Sequence, residues 1–136
     1  MESQIISQLD SDRIRERIAA YKASNGGSTY EVDRLNAEIE KARIVEPAGM
    51  PDDVVTMNSI VKVTNLTHGK PMTFQLVYPE EADARNGKVS IFAPMGMALL
   101  GYRLGDVVEW ALGGSKVRIK IESIVYQPEA AGDLDS

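Results

Sequence analysis

The side chains of this chain that could do chemistry are few and scattered. His68 is the sole histidine and sits in the turn Thr67-His68-Gly69-Lys70-Pro71. A histidine-based metal site needs further good ligands; none lies beside it, so His68 reads as an exposed turn residue. Glu80, Glu81 and Asp83 form an acidic loop. Such a loop can hold magnesium weakly, but hydration explains it equally well. Glu31 and Asp33 open a predicted helix, where carboxylates favour the N-terminal end of the helix dipole without any chemistry. Gly96 and Gly101 flank an apolar stretch that lacks the lysine of a phosphate-binding loop. There is no Gly-x-Ser-x-Gly elbow. The chain has no cysteine, which excludes a thiol nucleophile, a disulfide and a Cys-based zinc site. No catalytic residue, metal ligand or cofactor is assigned.

What must position these residues divides at Glu46-Pro47-Ala48-Gly49-Met50-Pro51. Before this seam the apolar spacing is helical. Ile14, Ile18 and Tyr21 share one helix face, as do Val32, Leu35, Ile39 and Ala42. The first helix is expected to begin near Asp10 or Ser11, both good caps. Ser28 with Glu31 forms a capping box for the second. Between them Ser24-Asn25-Gly26-Gly27 makes the tip, since Asn and Gly tolerate the left-handed cap. Two helices of about 14–17 residues give a hairpin of roughly 20–25 Å. It either packs flat on the sheet or projects as a short coiled coil.

After the seam the period changes to two. Asp53–Thr56, Ile60–Thr64, Thr73–Tyr78, Lys88–Ala93, Asp106–Leu112 and Val117–Tyr126 read as strands. Turns are expected at Asn86-Gly87 and Gly113-Gly114, a short apolar helix over Met95–Leu100, and Trp110 in the core or half-buried. The fold class is α+β: a helical hairpin over residues 1–46, then an antiparallel sheet of about five strands with one short helix over 51–127. Residues 128–136 are acidic and poor in apolar side chains, so they are read as a loose tail.

The 136 residues are 43% hydrophobic and 26% charged, with a net charge of −5, an ordinary soluble composition. Residues 1–50 carry 7 Lys/Arg against 9 Asp/Glu, and residues 51–136 carry 8 against 11. No segment is basic enough for strong autonomous nucleic-acid binding. No apolar run approaches the roughly 20 residues that span a bilayer, and the first residues lack a signal-peptide pattern. A cytoplasmic protein without a membrane partner is expected.

The strings Ile91-Phe92-Ala93-Pro94-Met95-Gly96-Met97-Ala98-Leu99-Leu100-Gly101 and Gly105-Asp106-Val107-Val108 follow a helical hairpin. In that order they resemble the GreA/GreB transcript cleavage factors, where Ser-Pro stands in place of Ala93-Pro94. More narrowly, Pro51–Ser59 and Tyr126–Asp133 resemble a short-hairpin branch, the regulators of nucleoside diphosphate kinase. The resemblance implies an FKBP-like sheet domain that binds the rim of the RNA polymerase secondary channel. The docking candidates are Phe92, Ala93, Pro94, Met95, Gly96 and Met97, where a proline and long apolar side chains stand beside a helix and methionine adapts to a partner surface, with Leu99 and Leu100 in the core. In the cleavage factors an Asp-x-x-Glu at the coiled-coil tip helps hold magnesium and activates water. The tip residues here, Asn25, Gly26, Gly27, Tyr30, Glu31 and Asp33, contain no such pattern. The expectation is therefore a non-enzymatic, monomeric regulator. It would compete with Gre factors for the channel without stimulating cleavage, and any effect on nucleoside diphosphate kinase would be indirect. The other readings are a cleavage stimulator using Glu31 and Asp33, a prolyl isomerase, and an adaptor unrelated to polymerase.

Overall fold

The chain enters as a three-residue strand, β1 (Ile5–Ser7), and runs straight into α1 (Gln8–Asn25). The structure is a computed structural model that describes residues 4–25, 30–112 and 115–132. Ser7 caps α1, its Oγ accepting the Asp10 backbone N–H at 3.0 Å. The helix thus starts earlier than the Asp10 or Ser11 caps predicted, and Asp10 is free for another use. After α2 (Tyr30–Lys41) comes β2 (Arg43–Val45), which pairs parallel to β1 with Ile6 opposite Ile44. This two-stranded sheet ties together the two ends of the helical pair. Three residues are too short for the alternation that reveals a strand, so sequence reading missed it.

A turn at Pro47–Gly49 leads into the larger sheet. Its strands are β3 (Ile60–Asn65), β4 (Lys70–Val77), β5 (Lys88–Ser90), β6 (Val107–Leu112) and β7 (Ser115–Tyr126), in the order β5-β4-β3-β7-β6. The short helix α3 (Pro94–Leu99) follows β5. The expected antiparallel sheet is in fact mixed, because β5 runs parallel to β4, with Leu76 opposite Val89. The segment 78–87, with turns at Pro79–Glu81 and Ala84–Asn86, crosses back beside Gln75 before Lys88 begins. A parallel pair needs such a crossover. The predicted strand at Asp53–Thr56 shrinks to a single bridge, Val54 to Arg103.

Gly26, Gly27, Ser28 and the Gly113-Gly114 turn lie outside the described residues, as do the side chains of Asn25, Tyr30, Glu31 and Trp110.

One core serves both halves of the chain. Ile14, Ile18, Val32, Leu35 and Ile39 from the helices are buried with Val61, Phe74, Leu76, Ile91, Leu99 and Ile121 from the sheet side. The helical faces read from spacing are therefore the buried faces, and they pack against the sheet domain as well as each other. Hydrogen bonds to main-chain carbonyls reinforce this junction. Gly101 O accepts the Ile5 N–H at 3.1 Å, and Leu100 O accepts Gln4 Nε2 at 2.8 Å. Gly101 has φ +83°, and a Cβ there would lie 2.8 Å from Gln4 Cβ, so only glycine allows both the conformation and the approach.

The tail expected to be loose is held at its root. Buried Gln127 donates through Nε2 to Pro51 O at 2.7 Å and Val54 O at 2.8 Å. Its Oε1 accepts the Ala130 N–H at 3.1 Å. Composition alone does not reveal this anchor at the start of residues 128–132, because a buried glutamine that bonds only main chain carries no apolar signal.

Candidate docking site

The segment Phe92–Met97 divides into a core half and a surface half. Ala93 is extended and Pro94 takes the first helical position of α3, where its missing N–H is harmless. Gly96, Met97, Ala98 and Leu99 are buried. A Cβ on Gly96 would lie 2.4 Å from Ser90 O and 2.9 Å from Leu76 Cδ1. Gly96 is therefore what lets α3 lie down on β4 and β5, and Met97 points into the core. Neither presents itself to a partner. Pro94 is exposed, and Met95 and Ala93 are partly so.

Met95 borders a groove of about 310 Å³ formed with Val63, Asn65, Lys70, Pro71, Met72 and Ile119. The register explains it. Val63 stands opposite Met72, and Val61 opposite Phe74, so Met72 shares the core face of the sheet. Helix α3 brings Met95 to the groove but does not cover Met72, which remains 42% exposed. The groove is apolar apart from Asn65 and Lys70. Met72 and Pro71 were missed in the sequence because Gly69 and Pro71 signalled a turn. The parity of Met72 with Phe74 and Leu76 was the signal that could have found them.

The other side of the segment faces the helices. Phe92 meets Tyr21 edge to face, with ring centroids 5.6 Å apart and planes at 73°. One helical turn earlier, Arg17 lies 4.3 Å over the Tyr78 ring and donates to Glu80 at 2.6 Å. The Arg17 hydrogen bond holds the Glu80 carboxyl below its ordinary range. Both partners reach solvent, so the pair contributes under about 1 kcal/mol. A double-mutant cycle of Arg17→Ala and Glu80→Ala in urea should return that small coupling; a value above about 2 kcal/mol would mean the pair is more sheltered than its exposure indicates.

These contacts decide how much of the hairpin stands clear. α1 has 18 residues, a rise of about 27 Å. It is held by Phe92 as far along as Tyr21. Past that point Lys22 pairs with Asp33 at 3.7 Å, joining the two helices. Asp33, a tip carboxylate in sequence reading, is thus engaged by a cation on the neighbouring helix.

At the root of α1 lies a carboxylate that sequence reading took only for a cap. Asp10 is 3% exposed. Its Oδ2 accepts the Met57 N–H at 3.1 Å, and the Tyr78 hydroxyl donates to Oδ1 at 3.4 Å. Burial, with the Glu129 carboxylate adding to it, pushes its pKa up to about 7. Glu129 is held in place by the Thr56 hydroxyl at 2.8 Å. Burial and the Asp10 charge likewise push the Tyr78 phenol up. No helix among the described residues is long and apolar enough to cross a membrane.

Comparison with known proteins gives this architecture its place. Residues 50–126 match the family model described as "Transcription elongation factor, GreA/GreB, C-term". The chain is 44% identical over 130 residues to the "Regulator of nucleoside diphosphate kinase" of Escherichia coli strain K12, covering 95% of this chain and 93% of that one. It is 30% identical over 105 residues to the "Transcription elongation factor GreA" of Christiangramia forsetii, covering 77% of this chain and 66% of that one. Among solved structures, a "Prokaryotic transcription elongation factor GreA/GreB from Nitrosomonas europaea" superposes with a TM-score of 0.72 at 35% identity, covering 93% of this chain and all of that one. The chain therefore belongs to the GreA/GreB transcription elongation factor family, on the side of the regulators of nucleoside diphosphate kinase.

Proposed function

We propose that this protein binds RNA polymerase at the rim of the secondary channel, as a cytoplasmic regulator of elongation. It competes there with Gre factors and does not stimulate RNA cleavage. Any effect on nucleoside diphosphate kinase follows indirectly, through transcription. The observation that carries this reading is the combination of a GreA/GreB-type domain with a hairpin held against it as far as Tyr21. α1 continues about one helical turn past Tyr21, to Asn25, and a helix held that far along reaches less deeply than a free rod. Its tip sequence, Ser24 to Asp33, also lacks Asp-x-x-Glu, and Asp33 is paired with Lys22.

Docking is assigned to exposed Pro94, to Met95 and to the groove of Val63, Pro71, Met72 and Ile119. An apolar groove flanked by two methionines suits a partner's side chain, because the thioether adapts its shape. Lys70 at its edge favours an acidic rim.

The test is a stalled elongation complex containing a Gre factor. Added protein should suppress Gre-stimulated cleavage and produce none alone. Met95→Asp with Met72→Asp should weaken the suppression at least tenfold in folded protein, since each places a charge where an apolar contact forms. Cleavage by this protein alone would overturn the non-cleaving reading. Full competition by the folded double variant would move the docking surface elsewhere.

A further inference from the structure

The helices cover one face of the five-stranded sheet and leave the other bare. Alternation buries Val61, Val63, Val117, Ile119 and Ile121 and sends Lys62, Lys116, Arg118 and Lys120 to the opposite face. The register fixes their arrangement. Lys120 lies opposite Thr64 on β3 and Val107 on β6, and Arg118 lies opposite Glu109. Lys62 is two residues along β3 from Thr64, and Lys88 adjoins Gln75 at the far strand. Successive cations along β7 are two residues apart, about 7 Å, and Lys62 continues the row across one strand.

This local charge departs from the chain's own balance. The face carries five cations against three carboxylates, Glu109, the bulged Glu122 and Asp83, which is bridged to Lys88 at the edge, in a protein of net charge −5. Lys116 is paired with Glu109 at 3.6 Å. Lys62, Arg118 and Lys120 have no ion pair among the described residues. Between them lie Thr64, Thr73, Gln75 and Ser123, which can donate hydrogen bonds. Its apolar members, half-buried Ile60 and Tyr126 at one end and exposed Pro71 and Val107 on β4 and β6, lie apart from one another and outside the row of cations. A protein interface is centred on buried aromatic or aliphatic anchors, and the described side chains between the cations supply none. Single-strand binders stack bases on aromatics, which those side chains also lack.

We propose that this bare sheet face binds the phosphate backbone of duplex nucleic acid through Lys62, Arg118 and Lys120, with Lys88 and Lys116 at its ends. Cations spaced along the register and separated by hydroxyl and amide donors, three of them without an ion pair among the described residues, match a polyanion contacted through its backbone, without sequence readout. Binding is weak, because the rest of the chain is acidic. The proposal does not depend on the polymerase reading.

The experiment is fluorescence anisotropy of a 20-base-pair DNA duplex with the full-length protein and no polymerase. Binding in the tens of micromolar is expected at low salt. Log affinity should fall with log salt at a slope of about −3, for roughly three neutralised phosphates. Lys62→Glu with Lys120→Glu should reduce affinity at least tenfold, and Lys62→Gln with Lys120→Gln should reduce it less. Arg15→Glu, an exposed charge on α1, should change little. Circular dichroism and an unchanged urea-unfolding midpoint would show the variants folded. Three results would overturn the proposal: no binding by the parent protein at low salt, equal loss in the Arg15 variant, or a polyglutamate peptide binding as tightly as the duplex. The last would assign the face to an acidic protein segment.

Discussion

Gly96→Ala is expected to be the most damaging single-atom change in this protein. The added Cβ would sit 2.4 Å from the Ser90 carbonyl oxygen and 3.1 Å from Ile91 Cα. Both are main-chain atoms, one in the last residue of β5 and one just after it, and cannot swing aside as a side-chain tip can. Helix α3 must lift off the sheet, loosening Met97 and Leu99 from the core. Overpacking of this kind costs about 3 kcal/mol, or about 10 °C in Tm for a chain of this size. Gly49→Ala is the control: nothing lies within 4 Å of its Cβ position, so the change should be neutral or slightly stabilising. Urea unfolding of both variants decides it. A Gly96 variant within 1 kcal/mol of the parent would mean that α3 is not packed as closely as described. Because α3 carries Pro94 and Met95, the same variant should also lose competition with Gre factors.

Asp10 should make stability fall as pH rises through neutrality, opposite to the usual behaviour of a paired carboxylate. Its folded pKa is raised from 3.8 to about 7, first by burial and then by Glu129. A raised folded value means that the native state binds the proton more tightly than the unfolded chain. The contribution is fully present below the unfolded pKa and is lost as pH climbs to about 7. Integrated over that window it amounts to roughly 4 kcal/mol. The groups that face the carboxyl from other elements are the Tyr78 hydroxyl, the Met57 N–H and Glu129; Ser7 precedes it in the chain. Asp10→Asn keeps the shape and removes the titration. Chemical denaturation between pH 5 and 8.5 should show the parent losing stability while the Asn variant stays nearly flat. Glu80 acts in the opposite sense, since its pKa is lowered by Arg17. That contribution disappears below the carboxylate range, outside the window measured. Equal slopes in the two proteins would show that Asp10 does not titrate there.

Several features were legible before any coordinates. The faces Ile14–Ile18 and Val32–Leu35–Ile39 were visible in helical spacing because burial of an amphipathic stripe is periodic. They are buried as read. Strands β3, β4, β6 and β7 were visible for the same reason, at a period of two. The membership of the GreA/GreB family was legible in the strings around Ala93-Pro94 and Gly105-Asp106. What failed was short or long-range. β1 and β2 are three residues each, below the length at which alternation exists. The parallel direction of β5 depends on where segment 78–87 crosses, which no local pattern records. Asp10 read as a helix cap because a carboxylate at that position usually is one; its burial comes from Met57, Tyr78 and Glu129, 47 or more residues away.

Of the six residues proposed for docking, spacing placed all on one segment, but only packing separates exposed Pro94 and partly exposed Met95 from buried Gly96 and Met97. Groove residues Met72 and Ile119 join them only because β3, β4 and β7 pair in one register. Local periodicity, turn chemistry and the absence of an acidic tip motif were properties of the sequence by itself. Which surfaces remain open was decided by the tertiary structure, because exposure depends on what other segments cover, and that is a long-range property of the folded chain.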